Sequence, residues 1–177
     1  CNYLTVAQLS HLQGCLVKKI ICRVSFSKIY PIHDVMLDHQ NPLNSIEFSE
    51  QAIVVGDSGT VLISDGDSWI ENSIEGAGNL YDLSVPHFES ISNSTIFVSG
   101  TNGEIWKWHN NSWTDLSSET GTSNDIYAID FISEEKGFAV GANGLIIATT
   151  DGGLTWEVRD PPEEFRNFSF YDLLFFG

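Results

Sequence analysis

Ser58 stands in Gly56-Asp57-Ser58-Gly59, an order that sets a hydroxyl in a tight, glycine-flanked stretch. A nucleophilic serine needs a histidine base that is itself oriented by an acid. His11, His33 and His39 precede it, and none lies in a context that builds such a triad. His33-Asp34 and Asp38-His39 offer metal-ligand types. On one strand, positions 33 and 39 would stand roughly 20 Å apart at ~3.3 Å per residue, too far for a single ion unless Asn41-Pro42 turns the chain early. Asp57, Asp65 and Asp67 flank one hairpin without the ligand spacing of a calcium loop. Hydrolysis of a glycosidic bond needs two carboxylates across a cleft. The 24 acids supply pairs everywhere and single out none. The expectation is no catalytic residue, no metal and no cofactor.

The elements that position these residues come from a repeat. AIVVGDSGTVLISDGDSW (52–69), TIFVSGTNGEIWKWHNNSW (95–113) and GFAVGANGLIIATTDGGLTW (137–156) share one order. Each has a β-rich run, a G-x-x-G, a second β-rich run, a polar turn and a tryptophan. The first glycines, Gly56, Gly100 and Gly141, are 44 and 41 residues apart; Trp69, Trp113 and Trp156 are 44 and 43 apart. A further strand is expected before each unit, at HDVML (33–37), YDLSV (81–85) and YAIDF (127–131), with a fourth copy, YDLLF, at 171–175. Ser58 takes the slot of Asn102 and Asn143, where a β-hairpin turn asks for positive φ. The serine is therefore expected to be a turn residue.

Four short strands per ~41–48 residues, each set with a Trp, is the pattern of a β-propeller blade. In the third unit the strands are expected at 127–132, 137–141, 145–149 and 155–159. The fold class is all-β: four-stranded antiparallel blades, three complete plus one strand of a fourth. The domains are a non-repeat segment, 1–31, and a partial propeller, 32–177, with repeats at about 32–78, 79–124 and 125–168 and the next starting at 169–177. Trp69, Trp113 and Trp156 are expected to fill the space between blades. Residues 4–18 read as a short helix and 22–30 as a strand. Propellers close with about four to eight blades, so the chain reads as a piece of a longer one.

Charge divides the chain. Before Asp34 the charged residues are Lys18, Lys19, Arg23 and Lys28, a net of +4; from Asp34 onward 24 acids meet Lys107, Lys136, Arg159 and Arg166, so 4 − 24 gives −20. Such a body repels phosphate backbones, which excludes nucleic acid as a partner. Cys1, Cys15 and Cys22 precede the repeats, so no disulfide framework staples the body. No apolar run reaches the ~18–20 residues of a membrane-spanning helix. Cys1 is read as a truncated frame rather than an acylated first residue, since CNYLTVAQL is apolar.

TTDGGLTW (149–156) fits [ST]-x-D-x-G-x-T-W, an Asp box: Thr149, Asp151, Gly153, Thr155 and Trp156. Its expected role is structural, with carboxylate and hydroxyls bonding the turn and Gly153 allowing a left-handed backbone. GFAVGANGLIIATTDGGLTWE, with YAIDFISEEK before it, resembles the repeats of the photosystem II stability/assembly factor family. The resemblance covers about 32–177. It implies a propeller, seven-bladed in plant and cyanobacterial members, that serves as a non-enzymatic chaperone for reaction-centre subunits. It also implies an extracytoplasmic setting: periplasm, thylakoid lumen or secreted. Two features depart from the family. The first two units carry shortened turns, SDGDSW and HNNSW, and the body has only Arg159 and Arg166, which puts an arginine-rich binding patch in doubt.

The function expected is a protein-binding or assembly scaffold acting through loops or the central channel, with Trp106 and Trp108 as candidate exposed aromatics. The alternative is part of an Asp-box glycoside hydrolase. Sialidases hold their substrate carboxylate with three arginines. The whole chain has Arg23, Arg159 and Arg166, and Arg23 lies outside the repeats. The partner expected is a protein.

Overall fold

The computed structural model describes residues 40–48, 51–64, 68–87 and 90–174. Three four-stranded antiparallel sheets lie among them. The first holds β1 (Leu43–Phe48), β2 (Ala52–Gly56), β3 (Val61–Ser64) and β4 (Trp69–Glu71). The second holds β5 (Leu80–Ser84), β6 (Ile96–Gly100), β7 (Ile105–His109) and β8 (Ser112–Asp115). The third holds β9 (Ile126–Phe131), β10 (Gly137–Gly141), β11 (Ile146–Thr149) and β12 (Glu157–Val158). Each sheet is a plain up-and-down meander, the form of a propeller blade.

Three expectations need correction. HDVML (33–37) lies outside the described residues, and the strand that pairs with β2 is Leu43–Phe48. Asn41-Pro42 is a turn dipeptide in the sequence. Pro42 precedes the strand, where it withholds no ladder bond, and Asn44 falls at an irregularity in the pairing. The link after the first strand also varies: three residues separate Phe48 from Ala52, eleven separate Ser84 from Ile96, and five separate Phe131 from Gly137. A pattern search with fixed spacing therefore slips there. The fourth copy, YDLLF, forms no ladder over its described residues 171–174. It joins the third blade through loop bonds instead, the Phe170 amide donating to the Gly141 carbonyl and the Gly144 amide to that of Phe168. The last strand of the third blade is Glu157–Val158, shorter than 155–159, because residues 150–156 form the box turn.

Strand alternation sends successive side chains to opposite faces, and the blades stack through those faces. Ile53, Val55, Val61 and Ile63 of the first blade meet Leu80, Leu83, Ile96, Val98 and Trp108 of the second. From the second blade's other face, Phe97 and Ile105 join Ile126, Ile129, Phe131, Ala139 and Ile147 of the third. On the far face of the first blade, Leu43, Ile46, Val54 and Leu62 form their own cluster. Strands β2 and β6 are buried along their whole length.

Polar bonds cross the same junctions along the first strands. Ser45 Oγ donates to Asp82 Oδ1 at 2.7 Å, and the Ile129 amide donates to Asp82 Oδ2 at 3.2 Å. The Phe131 amide donates to Ser84 Oγ at 2.9 Å, and Ser84 Oγ donates to Asp130 Oδ1 at 3.4 Å. Asp82 is buried, and a buried carboxylate is tolerated only with such donors around it.

The second glycine of each G-x-x-G sits in the turn between its blade's second and third strands, against the chain that leaves the blade. Gly59, Gly103 and Gly144 have φ of 70°, 77° and 71°, a region that L side chains avoid. A Cβ there would meet backbone of the link: the Ile74 carbonyl, the Thr122 carbonyl, and Arg166.

Candidate functional site

Ser58 is an exposed turn residue with φ 56°, beside Asn102 at 55° and Asn143 at 54°. Its amide donates to Asn79 Oδ1 at 3.2 Å, and the Asn102 amide donates to Asp125 Oδ1 at 3.0 Å. This is turn-to-link stapling in two blades, not activation of a nucleophile. Asp57 accepts a 2.8 Å bond from Asn44 Nδ2. Asp65, Asp67, His33, Asp34, Asp38 and His39 lie outside the described residues, as do 4–18 and 22–30. Among the described residues no cluster of metal-ligating side chains forms.

The Asp box is built around two side chains. Thr149 Oγ1 donates to Asp151 Oδ1 at 2.8 Å and accepts from the Asp151 and Gly153 amides at 3.3 and 3.0 Å. Asp151 also accepts the Thr155 amide at 2.9 Å and the Thr155 hydroxyl at 2.6 Å. Gly152 and Gly153 carry φ of 74° and 86°. Trp156 packs against the cluster between the second and third blades and meets Phe131 edge-on at 6.0 Å. Lys107 of the second blade reaches the turn, its Nζ donating to the Gly152 carbonyl at 3.4 Å.

The Thr155 hydroxyl and amide, then the Thr149 hydroxyl, hold the Asp151 carboxyl below the usual range. A lowered folded pKa stabilises the fold above the ordinary carboxylate pKa, and that gain fades as pH falls through the lowered value. Asp151→Ala is therefore expected to lower the Tm at pH 7, with the gap to wild type narrowing towards about pH 3. Melting curves by circular dichroism across that range check it; a gap that widens on acidification contradicts the box geometry.

Trp69 is half-buried against Leu43, Ile46, Val54 and Leu62. Trp113 packs at the junction of the first two blades and donates from Nε1 to the Asn72 carbonyl at 3.2 Å. Trp106 and Trp108 are not exposed contact residues. Trp108 is buried in that same junction, with Nε1 donating to the Ile91 carbonyl at 2.9 Å, and Trp106 is half-buried beside it. Their strand face is the one that meets the first blade.

A different set of side chains gathers at the start of the first strands. The pairing of β1, β5 and β9 shifts register at Asn44, Tyr81 and Tyr127, one irregularity per blade at the same place. A bulge re-aims the side chain it carries. Tyr81 and Tyr127 stand with ring centroids 5.3 Å apart and tilted 55°. Tyr127 and Tyr171 stand 4.8 Å apart at 22°. These rings, with Asn44, Ser45, Asp82 and Asp172, line an open cavity of about 340 Å³. Burial, then the carboxylate of Asp125, then Tyr127 and Asp57, push the Tyr81 phenol up to about 12. Tyr127 is raised as well, by burial first and then Asp125. The mouth is thus an aromatic ladder in a negative field. The repeat reading placed Tyr81, Tyr127 and Tyr171 in equivalent strands but drew no site from them. Their spacing of 46 and 44 residues was the available signal.

Arg159 directly follows β12, paired at 2.6 Å with Glu157 on the exposed edge, and Arg166 lies where its backbone meets the Gly144 turn. Arg23 is outside the described residues. The described arginines thus line neither the cavity nor any clamp.

Residues 107–177 match the model of the family described as photosynthesis system II assembly factor YCF48. A photosystem II assembly lipoprotein Ycf48 from Prochlorococcus marinus is 51% identical over 51 residues, 26% of this chain and 15% of the relative. One from another strain is 40% identical over 90 residues, 50% of this chain and 22% of the relative. The chain therefore spans less than a quarter of the length of these curated relatives. Among solved structures, YCF48 from Cyanidioschyzon merolae superposes with a TM-score of 0.60 at 16% identity, over 81% of this chain and 49% of that one. A structure of YCF48 bound to D1 peptide superposes at 0.56 with 14% identity, over 68% and 41%. At those identities the superpositions establish the propeller fold.

Proposed function

From the match of residues 107–177 to the photosystem II assembly factor family model, we propose that this chain is part of a non-catalytic scaffold that binds a photosystem II polypeptide. One observation carries the reading: the family match falls on the best-formed repeat, in a chain whose three blades superpose on two YCF48 structures. The partner class follows from the D1 peptide bound in one of them. The name lipoprotein borne by the curated relatives supports an extracytoplasmic setting. The Asp box stiffens the third blade, while recognition falls to the loops and first-strand ends. The domain division, a non-repeat segment followed by repeats, is part of the same proposal.

Calorimetric titration of the chain with a D1-derived peptide tests the reading. Saturable binding at one peptide per chain is expected. No heat with D1 peptide, together with no photosystem II subunit retained on the immobilised protein, overturns it.

A further inference from the structure

We propose that the tyrosine-lined mouth takes a lysine or arginine side chain from an extended segment of the bound polypeptide. This inference rests on the scaffold reading and names the chemistry of its recognition site. Three observations converge. First, bulges at equivalent positions of three blades place Asn44, Tyr81 and Tyr127 at one mouth, with Tyr171 stacked on Tyr127. Strand register alone would not repeat that irregularity three times, and bulges are devices for aiming side chains. Second, among the described residues the cavity lining holds two carboxylates, Asp82 and Asp172, and no lysine or arginine. Asp57 and Asp125 add to the same field, as their effect on the Tyr81 phenol shows. Third, the cavity, about 340 Å³, accommodates a long side chain with its flanking backbone.

Tyrosine faces attract cations, because the ring quadrupole puts negative charge above and below the plane. A carboxylate beside the ring adds a charge-assisted partner for the ammonium or guanidinium hydrogens. An anionic or phosphorylated segment meets the same sign here and is repelled. A metal ion is disfavoured too, since among the described residues no group of ligand side chains converges.

The test uses the 177-residue chain with tyrosine rings isotopically labelled for NMR. The probes are the peptide acetyl-Gly-Gly-Arg-Gly-Gly-amide and its citrulline counterpart, equal in shape but uncharged. The arginine peptide is expected to shift the Tyr127 and Tyr171 resonances saturably, and the citrulline peptide to bind about tenfold more weakly or less. Tyr171→Ala and Asp125→Asn are each expected to weaken the arginine peptide about fivefold or more, with folding followed by ring-proton dispersion. Tyr171 is 63% exposed, so its removal leaves the core intact. Equal binding of both peptides, or full binding by both folded variants, overturns the proposal. The scaffold reading fails separately. If the D1 peptide binds wild type and both variants alike, the scaffold stands and this mouth is not its site.

Discussion

Gly103→Ala is expected to lower the unfolding free energy by about 3 kcal/mol or more, and Gly121→Ala by only about 1–2. Both glycines have positive φ, 77° and 66°. An alanine at either site therefore suffers the left-handed backbone strain, about 1–2 kcal/mol. They differ in surroundings. A Cβ on Gly121 has nothing within 4 Å, whereas one on Gly103 would press on the Thr122 carbonyl in the link to the third blade. That link cannot retreat freely, because Thr120 Oγ1 donates to the Gly103 carbonyl at 3.1 Å and the Asn102 amide is held by Asp125. The excess loss at Gly103 measures the cost of pushing the second and third blades apart. Urea unfolding of the two variants gives the comparison. Equal losses mean that φ alone fixes the glycine and that close approach plays no part.

The second large effect is expected at Phe97, which is fully buried. It belongs to β6 of the second blade, but its ring stacks on Phe131 of the third, centroids 3.5 Å apart and planes within 3°. Lys107 Nζ lies 5.2 Å from the Phe97 ring centroid, the geometry of a cation–π contact. Phe97→Ala removes a whole ring between two sheets that cannot both collapse into the space. The expected loss is about 3–5 kcal/mol, against less than about 1.5 for Phe97→Leu, which keeps most of the volume. Denaturant midpoints separate the two. A loss below about 1 kcal/mol for the alanine variant means the junction repacks and is not the rigid contact described.

Much of this architecture was legible because the repeat is written in turn chemistry. Gly-x-x-G demands positive φ at two adjacent positions, and Ser58, Asn102 and Asn143 with their glycines satisfy it three times. The polar turn and tryptophan that follow fix the end of each unit. The first strand was less legible. Its link to the second strand is free to change length, and in the first blade Asn41-Pro42 is a turn dipeptide. Burial of Trp108 was hidden for a different reason: alternation shows that two residues share a face, not which face meets a neighbour. The tyrosine mouth stayed hidden longest. Tyr81 and Tyr127 looked like ordinary strand residues, and only pairing register shows that each sits at a bulge. Register depends on the partner strand, so it has no local signature in the sequence.

Asp82 gives the array a property that repeats usually lack. In stacked units, stability divides into a term for each unit and a term for each junction. Such arrays can fray from an end, one unit at a time. The Asp82 carboxylate accepts from Ser45 in the blade before and from the Ile129 amide in the blade after, one oxygen to each. One side chain therefore enters two junction terms. Loosening either outer blade strips a donor from a buried charge in the middle one, and that penalty opposes fraying from both ends. The middle blade sets the cooperativity of the three, so they tend to melt together rather than in sequence.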